Sequence, residues 1–223
     1  MIIKSKPASM FWLKFGGYCI PKILKIAFVN KLVIKPVEIK PNHSYILCCN
    51  HFSFLDGFIN YCLAYQVLIK QGNGKRWYIM SLKKQMQQHW WLKYIGAFSI
   101  VPGSKSSEES LDYAAEVLNT PGNLLLFYPQ GNLESSHVRE IEFKDGVSQI
   151  VPKIKGDCQL VWCSILMEYF ESTKPSVYFN LLDCGTNNDF DFEALKQKVN
   201  EHHRQAIQNN IRFTQEPDNH KVH

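Results

Sequence analysis

His51 and Asp56 stand five positions apart just after an apolar run, Tyr45 to Cys49, in the segment Asn50-His51-Phe52-Ser53-Phe54-Leu55-Asp56-Gly57. Together they form a candidate general base and the acid that orients it. Histidine titrates nearest neutrality of the common side chains, and a carboxylate on one ring nitrogen sets the tautomer and stabilises the imidazolium formed on proton abstraction. If a strand ends near Asn50 and a helix opens near Ser53, Asp56 lies about one turn in and its side chain reaches back to His51. The spacing also suits a surface histidine beside a first-turn aspartate favoured by the helix dipole. A different chemistry is open as well: Cys48 or Cys49 as a nucleophile with His51 as its base, although both cysteines end an apolar run, where a buried thiol is usual.

The elements needed to hold these groups can be read along the chain. Ser44 to Cys49 is a buried strand, Ser53 to Gln66 a helix with an apolar face, and Gln71-Gly72-Asn73-Gly74 a break. A strand from Arg76 to Met80, a helix over Lys83 to Tyr94 and a short strand from Ala97 to Val101 follow. Ser106-Ser107-Glu108-Glu109 offers a capping box for a helix ending near Asn119-Thr120-Pro121-Gly122. Asn123 to Tyr128 is a buried strand and Gly146 to Val151 a short helix. Strands at Gln159 to Met167 and Ser176 to Leu182 precede a polar helix from about Phe190 to Gln208. This alternation predicts an α/β fold: one domain with a mixed sheet flanked by helices, preceded by an N-terminal amphipathic helical segment. In such a sheet ligands bind outside the carboxyl ends of the strands, where Asn50-His51 and Pro129-Gln130-Gly131 both fall.

Asn-His-x4-Asp-Gly after an apolar strand resembles the first signature block of the glycerolipid acyltransferases, the lysophosphatidic acid acyltransferase family. The resemblance continues in order. Gly96-Ala97-Phe98-Ser99-Ile100-Val101-Pro102 is similar to the second block, Phe127-Tyr128-Pro129-Gln130-Gly131-Asn132 to the third, usually Phe-Pro-Glu-Gly-Thr-Arg, and Phe143-Lys144-Asp145-Gly146 to the Phe-Lys-x-Gly that follows. It implies acyl transfer from acyl-CoA or acyl carrier protein, as co-substrate, to a hydroxyl or amine of a lipid acceptor. His51 would be the base and Asp56 its partner, with no acyl-enzyme and no resident cofactor. Backbone N–H groups opening the helix after His51 would meet the oxyanion. Asn50, Pro129, Gln130, Gly131 and Asn132 would line the acceptor side. Gln130 either contacts the acceptor hydroxyl or holds the His51 loop, and Asn50 positions that loop. Lys83, with Lys84, would meet the donor's phosphates. Phe52, Phe54, Trp90 and Trp91 either border an acyl channel or serve in the core or an interface.

The departures bear on the acceptor. Arginines of the family's second and third blocks are associated with the acceptor phosphate, a task suited to a guanidinium fork. Here those positions hold Pro102 and Leu133, Gln130 replaces a glutamate, and Leu160-Val161-Trp162-Cys163-Ser164-Ile165 lacks the proline of the fourth block. The acceptor is therefore expected not to be a phosphomonoester, unless Lys105 or Arg139 supplies a displaced charge. The alternatives are a lysophosphatidic acid acyltransferase of phospholipid synthesis and an inactive membrane-binding relative.

Residues 1–35 contain seven lysines and no acidic residue, +7 against −2 for the remainder of the chain. Aromatic and aliphatic side chains interleave with them, Phe11, Trp12, Phe15, Tyr18, Ile23 and Ile26 among them. Such a segment suits a membrane surface carrying anionic lipids. Lys14, Lys22 and Lys25 interrupt it too often for a span of about 20 residues, and no clean apolar region marks a cleavable signal. An ordinary amphipathic helix packed on its own domain would account for the same pattern. The expected organisation is a basic amphipathic membrane-association segment at 1–35, an acyltransferase domain at 36–213 and a flexible tail at 214–223, placed peripherally on the cytoplasmic face of the membrane. The basic excess is local and no nucleic-acid motif accompanies it, so nucleic acid is not an expected partner. Seven cysteines, mostly within apolar runs, read as reduced core residues. No metal site is expected, since His202-His203 is an adjacent pair pointing in different directions on a helix.

Overall fold

A strand that is apolar on both faces needs cover on both, and Ser44–Cys49, designated β2, has it, with all six residues buried. The structure is a computed structural model describing residues 1–53, 55–170 and 172–211. Its other strands are β1 (Leu32–Lys35), β3 (Arg76–Leu82), β4 (Ala97–Ile100), β5 (Asn123–Phe127), β6 (Cys158–Glu168) and β7 (Ser176–Thr186). The helices are α1 (Met10–Ala27), α2 (Asp56–Ala64), α3 (Lys83–Gln88), α4 (Ser106–Leu118), α5 (Gly146–Ile150) and α6 (Phe192–Asn210). The strands form one mixed sheet in the order β1-β7-β6-β2-β5-β3-β4. All neighbours are parallel except β6 and β7. The expected α/β domain of sheet and flanking helices is therefore present, with the N-terminal helix.

Successive strand residues point to opposite faces, and two cores result. Tyr45, Leu47, Cys49, Leu124 and Leu126 join α1 and α2 on one face. Ile46, Cys48, Leu125, Phe127 and Trp162 join α4, α5 and α6 on the other. Since β2 is apolar on both sides, a one-residue slip would exchange one apolar set for another, and hydrophobicity alone sets its register weakly. Polar groups at its ends hold it instead: Ser44 N–H donates to Asp157 O at 2.9 Å, and the Asn50 side chain bonds Ile165 on β6. That register fixes where His51 leaves the sheet.

Several expected elements shift. The helix expected from Ser53 starts at Asp56, because the Asp56 carboxylate draws the Phe52 and Ser53 N–H groups into a loop. It ends in a π-helical turn, Tyr65–Ile69. The helix expected over Lys83 to Tyr94 stops at Gln88, and a 3₁₀ turn, Trp90–Ile95, follows. No capping box opens α4: Ser106 Oγ pairs with Ser104 Oγ and Ser107 Oγ donates to Ser104 O, so neither hydroxyl caps the helix. β6 and β7 outrun their expected ends because they pair with each other from Glu168–Ser176 to Gln159–Thr186. β1 was not foreseen. Its four residues belong to the segment 1–35, but they pair with Val177–Asn180 of β7, so that segment is helical only to Ala27 and finishes as an edge strand. The expected tail, 214–223, lies outside the described residues.

α1 lies against α2. A Cβ on Gly17 would fall 2.0 Å from the Tyr65 ring, so glycine is what lets the helices approach, and the Tyr61 hydroxyl donates to Leu13 O. Leu13, Gly17 and Leu24 form the buried stripe. Among the described residues no helix is long and apolar enough to cross a membrane.

Candidate active site

β2 ends at Cys49, and the next residue continues its pairing with a side chain. Asn50 Nδ2 donates to Ile165 O at 3.0 Å and its Oδ1 accepts from Ile165 N at 2.7 Å, which frees the backbone to turn out of the sheet at His51. The His51 backbone is then gripped from the loop after β5. Its N–H donates to Gln130 Oε1 at 2.8 Å, and its carbonyl accepts from Glu134 N at 2.8 Å. Gln130 is buried and donates through Nε2 to Glu134 Oε2 at 2.6 Å. An amide at this position serves both bonds, since it accepts at one end and donates at the other. Of the two roles expected of Gln130, holding the loop is the one the geometry uses.

The His51 ring is held on two sides. Nδ1 lies 2.8 Å from Asp56 Oδ2, and the same oxygen accepts from Phe52 N at 2.7 Å and Ser53 N at 2.9 Å. Asp56 is fully buried, and its Oδ1 has no partner among the described residues. A carboxylate on Nδ1 keeps the proton there and leaves Nε2 as the acceptor. The His51 side chain is 25% exposed, so a substrate can reach it. The Tyr128 ring stacks on the imidazole, with centroids 4.0 Å apart and planes 17° from parallel. Asn60 Nδ2 donates to the Tyr128 hydroxyl at 3.1 Å, and burial pushes that phenol well above its ordinary range, so it stays protonated.

The loop after β5 is tied down from both ends. Gly131 adopts φ +68°, a conformation glycine tolerates best, and Lys144 N–H donates to Pro129 O at 2.9 Å. The Asn132 amide is satisfied when its nitrogen faces Gly131 O at 2.9 Å and its oxygen faces Lys144 Nζ at 3.1 Å. From the far side, Asn200 of α6 exchanges two bonds with Ile141, and buried His203 bridges Val138 O and Ser164 Oγ at 3.0 Å each. His202 points elsewhere, to Asn180 O.

His51, Asp56, Asn50, Pro129, Gln130 and Gly131 thus converge, with Asn132 on the rim. The other expected residues do not join them. Lys83 follows β3, two strands or about 10 Å from β2, and donates to Met1 O at 3.0 Å. Lys105 follows β4, about 14 Å away by the same spacing, in a groove with Glu108, Glu109 and Asp112. Arg139 is exposed on the loop. Asn50 spends both amide groups on Ile165, so it positions the loop and has none left for substrate. The oxyanion donors expected at the helix start are also engaged: Phe52 and Ser53 donate to Asp56, Leu55 to Ser53 Oγ and Asp56 to Ser53 O. Trp90 and Trp91 are exposed on the 3₁₀ turn, Phe52 packs against the first core, and Phe54 lies outside the described residues. Cys48 and Cys49 are buried and burial raises both thiols, with Cys49 donating to Asn60 Oδ1 at 3.1 Å. Neither is poised as a thiolate nucleophile.

A family model described as Acyltransferase matches residues 31–165, more than half of the chain and the whole of this site. The chain belongs to the acyltransferase family. Its fold is similar to that of the 1-acyl-sn-glycerophosphate (LPA) acyltransferase PlsC from Thermotoga maritima, with a TM-score of 0.64 at 17% identity, covering 91% of this chain and 81% of that one. No curated protein matches it.

In this acyltransferase the sequence reading missed Tyr128, Asn60, Glu134 and Lys144. Only Tyr128 and Lys144 carried a signal, as members of the third block and of the Phe-Lys-x-Gly that follows it. The other two are ordinary polar residues until the fold brings them in. If stacking positions His51, Tyr128→Phe should retain most of the transfer rate while Tyr128→Leu lowers kcat by roughly tenfold, a fraction of the ~10²–10⁴ attributable to a general base. Initial rates with both variants check this, and equal rates for Phe and Leu would exclude a role for the ring.

Proposed function

We propose that this acyltransferase moves a fatty acyl group from a thioester, acyl-CoA or acyl carrier protein, to a hydroxyl or amine of a lipid acceptor, with His51 as general base. The observation that carries the reading is the 2.8 Å contact between His51 Nδ1 and buried Asp56, in a side chain that is itself partly exposed. Nε2 takes the acceptor proton as the acceptor oxygen or nitrogen bonds to the thioester carbonyl carbon. The C–S bond of the tetrahedral intermediate then breaks, and the leaving thiolate takes the proton back from the imidazolium. Asp56 holds the ring through both transfers. Neither an acyl-enzyme nor a resident cofactor enters this sequence. The substrate in the name of PlsC, 1-acyl-sn-glycerophosphate, is the alternative acceptor, but Pro102 and Leu133 offer it no charge. Thiol release from acyl-CoA by the purified protein, with a panel of lipid acceptors, tests the proposal. Release that no acceptor stimulates would count against it.

The reaction is assigned to the cytoplasmic membrane surface, with α1 as the peripheral anchor. Packing of α1 on its own domain accounts for Leu13, Gly17 and Leu24 but not for the opposite face, where Phe11, Trp12, Phe15 and Tyr18 are exposed among lysines. Binding to anionic vesicles is expected to weaken as salt rises, since exposed charges are screened over about 8–10 Å near physiological ionic strength. Changing Lys14, Lys22 and Lys25 together to glutamate should release the protein. Equal sedimentation with neutral and anionic vesicles would contradict the electrostatic part.

A further inference from the structure

The helices on the two faces of the sheet come from different parts of the chain, and these parts differ in charge. Residues 1–107 hold 15 Lys and Arg against two acidic residues, Glu38 and Asp56, a formal +13, whereas residues 108–223 hold 10 against 18, a formal −8. α1 and α2 come from the first part and α4, α5 and α6 from the second. The crossover from β3 to β4, formed by α3 and the Trp90–Ile95 turn, also comes from the first. Parallel strands joined with the usual right hand place this crossover on the same face as α2. Across α1, α2 and the crossover the one acidic residue is Asp56, which is buried against His51. That layer therefore shows solvent lysines without a counter-charge of its own. On the opposite layer, α4 carries four acidic residues and no basic one, three of them paired with cations (Glu109 with the N-terminus, Glu116 with Lys4 and Asp112 with Lys153), and α6 holds charges of both signs.

The basic layer also exposes aromatic rings at two places. One is the outer face of α1. The other is the 3₁₀ turn, where Trp90 is 67% exposed, Trp91 43%, Tyr94 45% and Ile95 44%. The two adjoin, because Lys6 N–H donates to Lys93 O at 2.7 Å and Phe11 follows Lys6 by five residues, at most about 17 Å of chain. Lysines sit among the rings in both: Lys22 Nζ lies 3.6 Å from the Tyr18 centroid and Lys93 Nζ 5.1 Å from that of Tyr94. Trp and Tyr rings beside lysines suit the headgroup level of a bilayer, with indole in the interface and ammonium on lipid phosphate.

We propose that the α1–α2 layer is the bilayer-facing side of the protein and that the Trp90–Ile95 turn is a second insertion site beside α1, for a bilayer containing anionic phospholipid. The proposal rests on the membrane-surface reading of α1 and extends it to an orientation: the basic layer carries the uncompensated positive charge that anionic lipid attracts and the α4–α6 layer does not, so the sheet lies between them with its faces fixed relative to the membrane. An acidic protein or a nucleic acid would answer the charge. Neither calls for the aliphatic and aromatic bulk of Phe11, Phe15 and Ile95 exposed beside it.

The test uses the full chain and vesicles of phosphatidylcholine with phosphatidylglycerol, carrying brominated acyl chains that quench indole fluorescence on contact. In a Trp12→Phe protein the remaining tryptophans are Trp90 and Trp91 on the turn and the buried Trp77 and Trp162. Its fluorescence should be quenched by these vesicles, and the quenching should vanish when Trp90 and Trp91 are also changed to phenylalanine. In the otherwise unaltered chain, Trp90→Ala with Trp91→Ala should weaken vesicle binding at least ~10-fold, as expected from removing two interfacial anchors. Absence of quenching in the Trp12→Phe protein would overturn the proposal, as would quenching that survives loss of both turn tryptophans. Binding of an acidic protein or nucleic acid through the turn, with no quenching by vesicles, would overturn it too. Thiol release is followed in parallel with detergent-dispersed substrate. Release without quenching overturns the orientation and leaves acyl transfer standing, and quenching without release supports the orientation while removing the enzymatic reading.

Discussion

A His51→Ala protein is expected to fold as the parent does and to transfer acyl groups at least ~10²-fold more slowly, the lower end of what a positioned general base contributes. The ring is partly exposed and its backbone N–H and C=O are held by Gln130 and Glu134, so removing the imidazole leaves the loop anchored. Asp56→Asn should approach the same loss for a different reason. Asp56 Oδ2 accepts from Phe52, Ser53 and Nδ1 alike, so an amide oxygen in its place preserves the loop and the tautomer but brings no negative charge to stabilise the imidazolium formed on proton abstraction. Initial rates of thiol release, with circular dichroism to verify folding, provide the measurement. Near-parental turnover by a folded His51→Ala protein would falsify the mechanism.

With lysophosphatidic acid and a neutral or zwitterionic lipid bearing a hydroxyl or amine in competition for one acyl-CoA, the second is expected to be preferred by one to two orders of magnitude in kcat/KM. That range corresponds to loss of one charge-assisted hydrogen bond, about 1.5–3 kcal/mol. Leu133 is exposed on the loop where a guanidinium would bind phosphate, and Pro102 stands in a turn. The replacements considered from sequence fare poorly. Lys105 follows β4, three strands from β2, in a groove it shares with Lys4, Glu108, Glu109, Asp112 and Glu116, and Arg139 is exposed on a loop whose neighbour Glu140 is paired with Arg204. The cation next to the third block is Lys144, at Asn132. If lysophosphatidic acid is nevertheless preferred, Lys144→Ala should raise its KM selectively, while Lys105→Ala and Arg139→Ala should leave that KM in place.

Much of the fold was legible because it follows local rules. Continuous apolar runs of five and four residues at Tyr45–Cys49 and Leu124–Phe127, too short for helices, read as strands covered on both faces, and the breaks between runs carry glycine or proline. Boundaries were less legible where a side chain bonds backbone in place of helix. The Asp56 carboxylate holds two N–H groups that a helix from Ser53 would have left free, and the serines before α4 bond one another in place of a capping box. The lengths of β6 and β7 depend on each other, and β1 depends on β7. No window of sequence contains both partners.

The sequence by itself determined the chemistry offered: an imidazole and a carboxylate in the right order after a strand, a Pro-Gln-Gly turn after another, and a basic aromatic segment ahead of both. Those are properties of residue type and spacing, which short-range physics converts into elements. Only the tertiary structure decided what surrounds the imidazole. Tyr128 lies 77 positions from His51 and Gln130 lies 79, yet one stacks on its ring and the other holds its N–H, because β2 and β5 are neighbours in register. The same pairing left Lys83 and Lys105 two and three strands away, since distance across a sheet follows strand order and not position in the chain. Charge divided likewise: its uneven distribution is written along the chain, but only the sheet, by sending α1, α2 and the β3–β4 crossover to one face and α4, α5 and α6 to the other, gathers on one side the helices whose lysines have no acidic neighbours of their own.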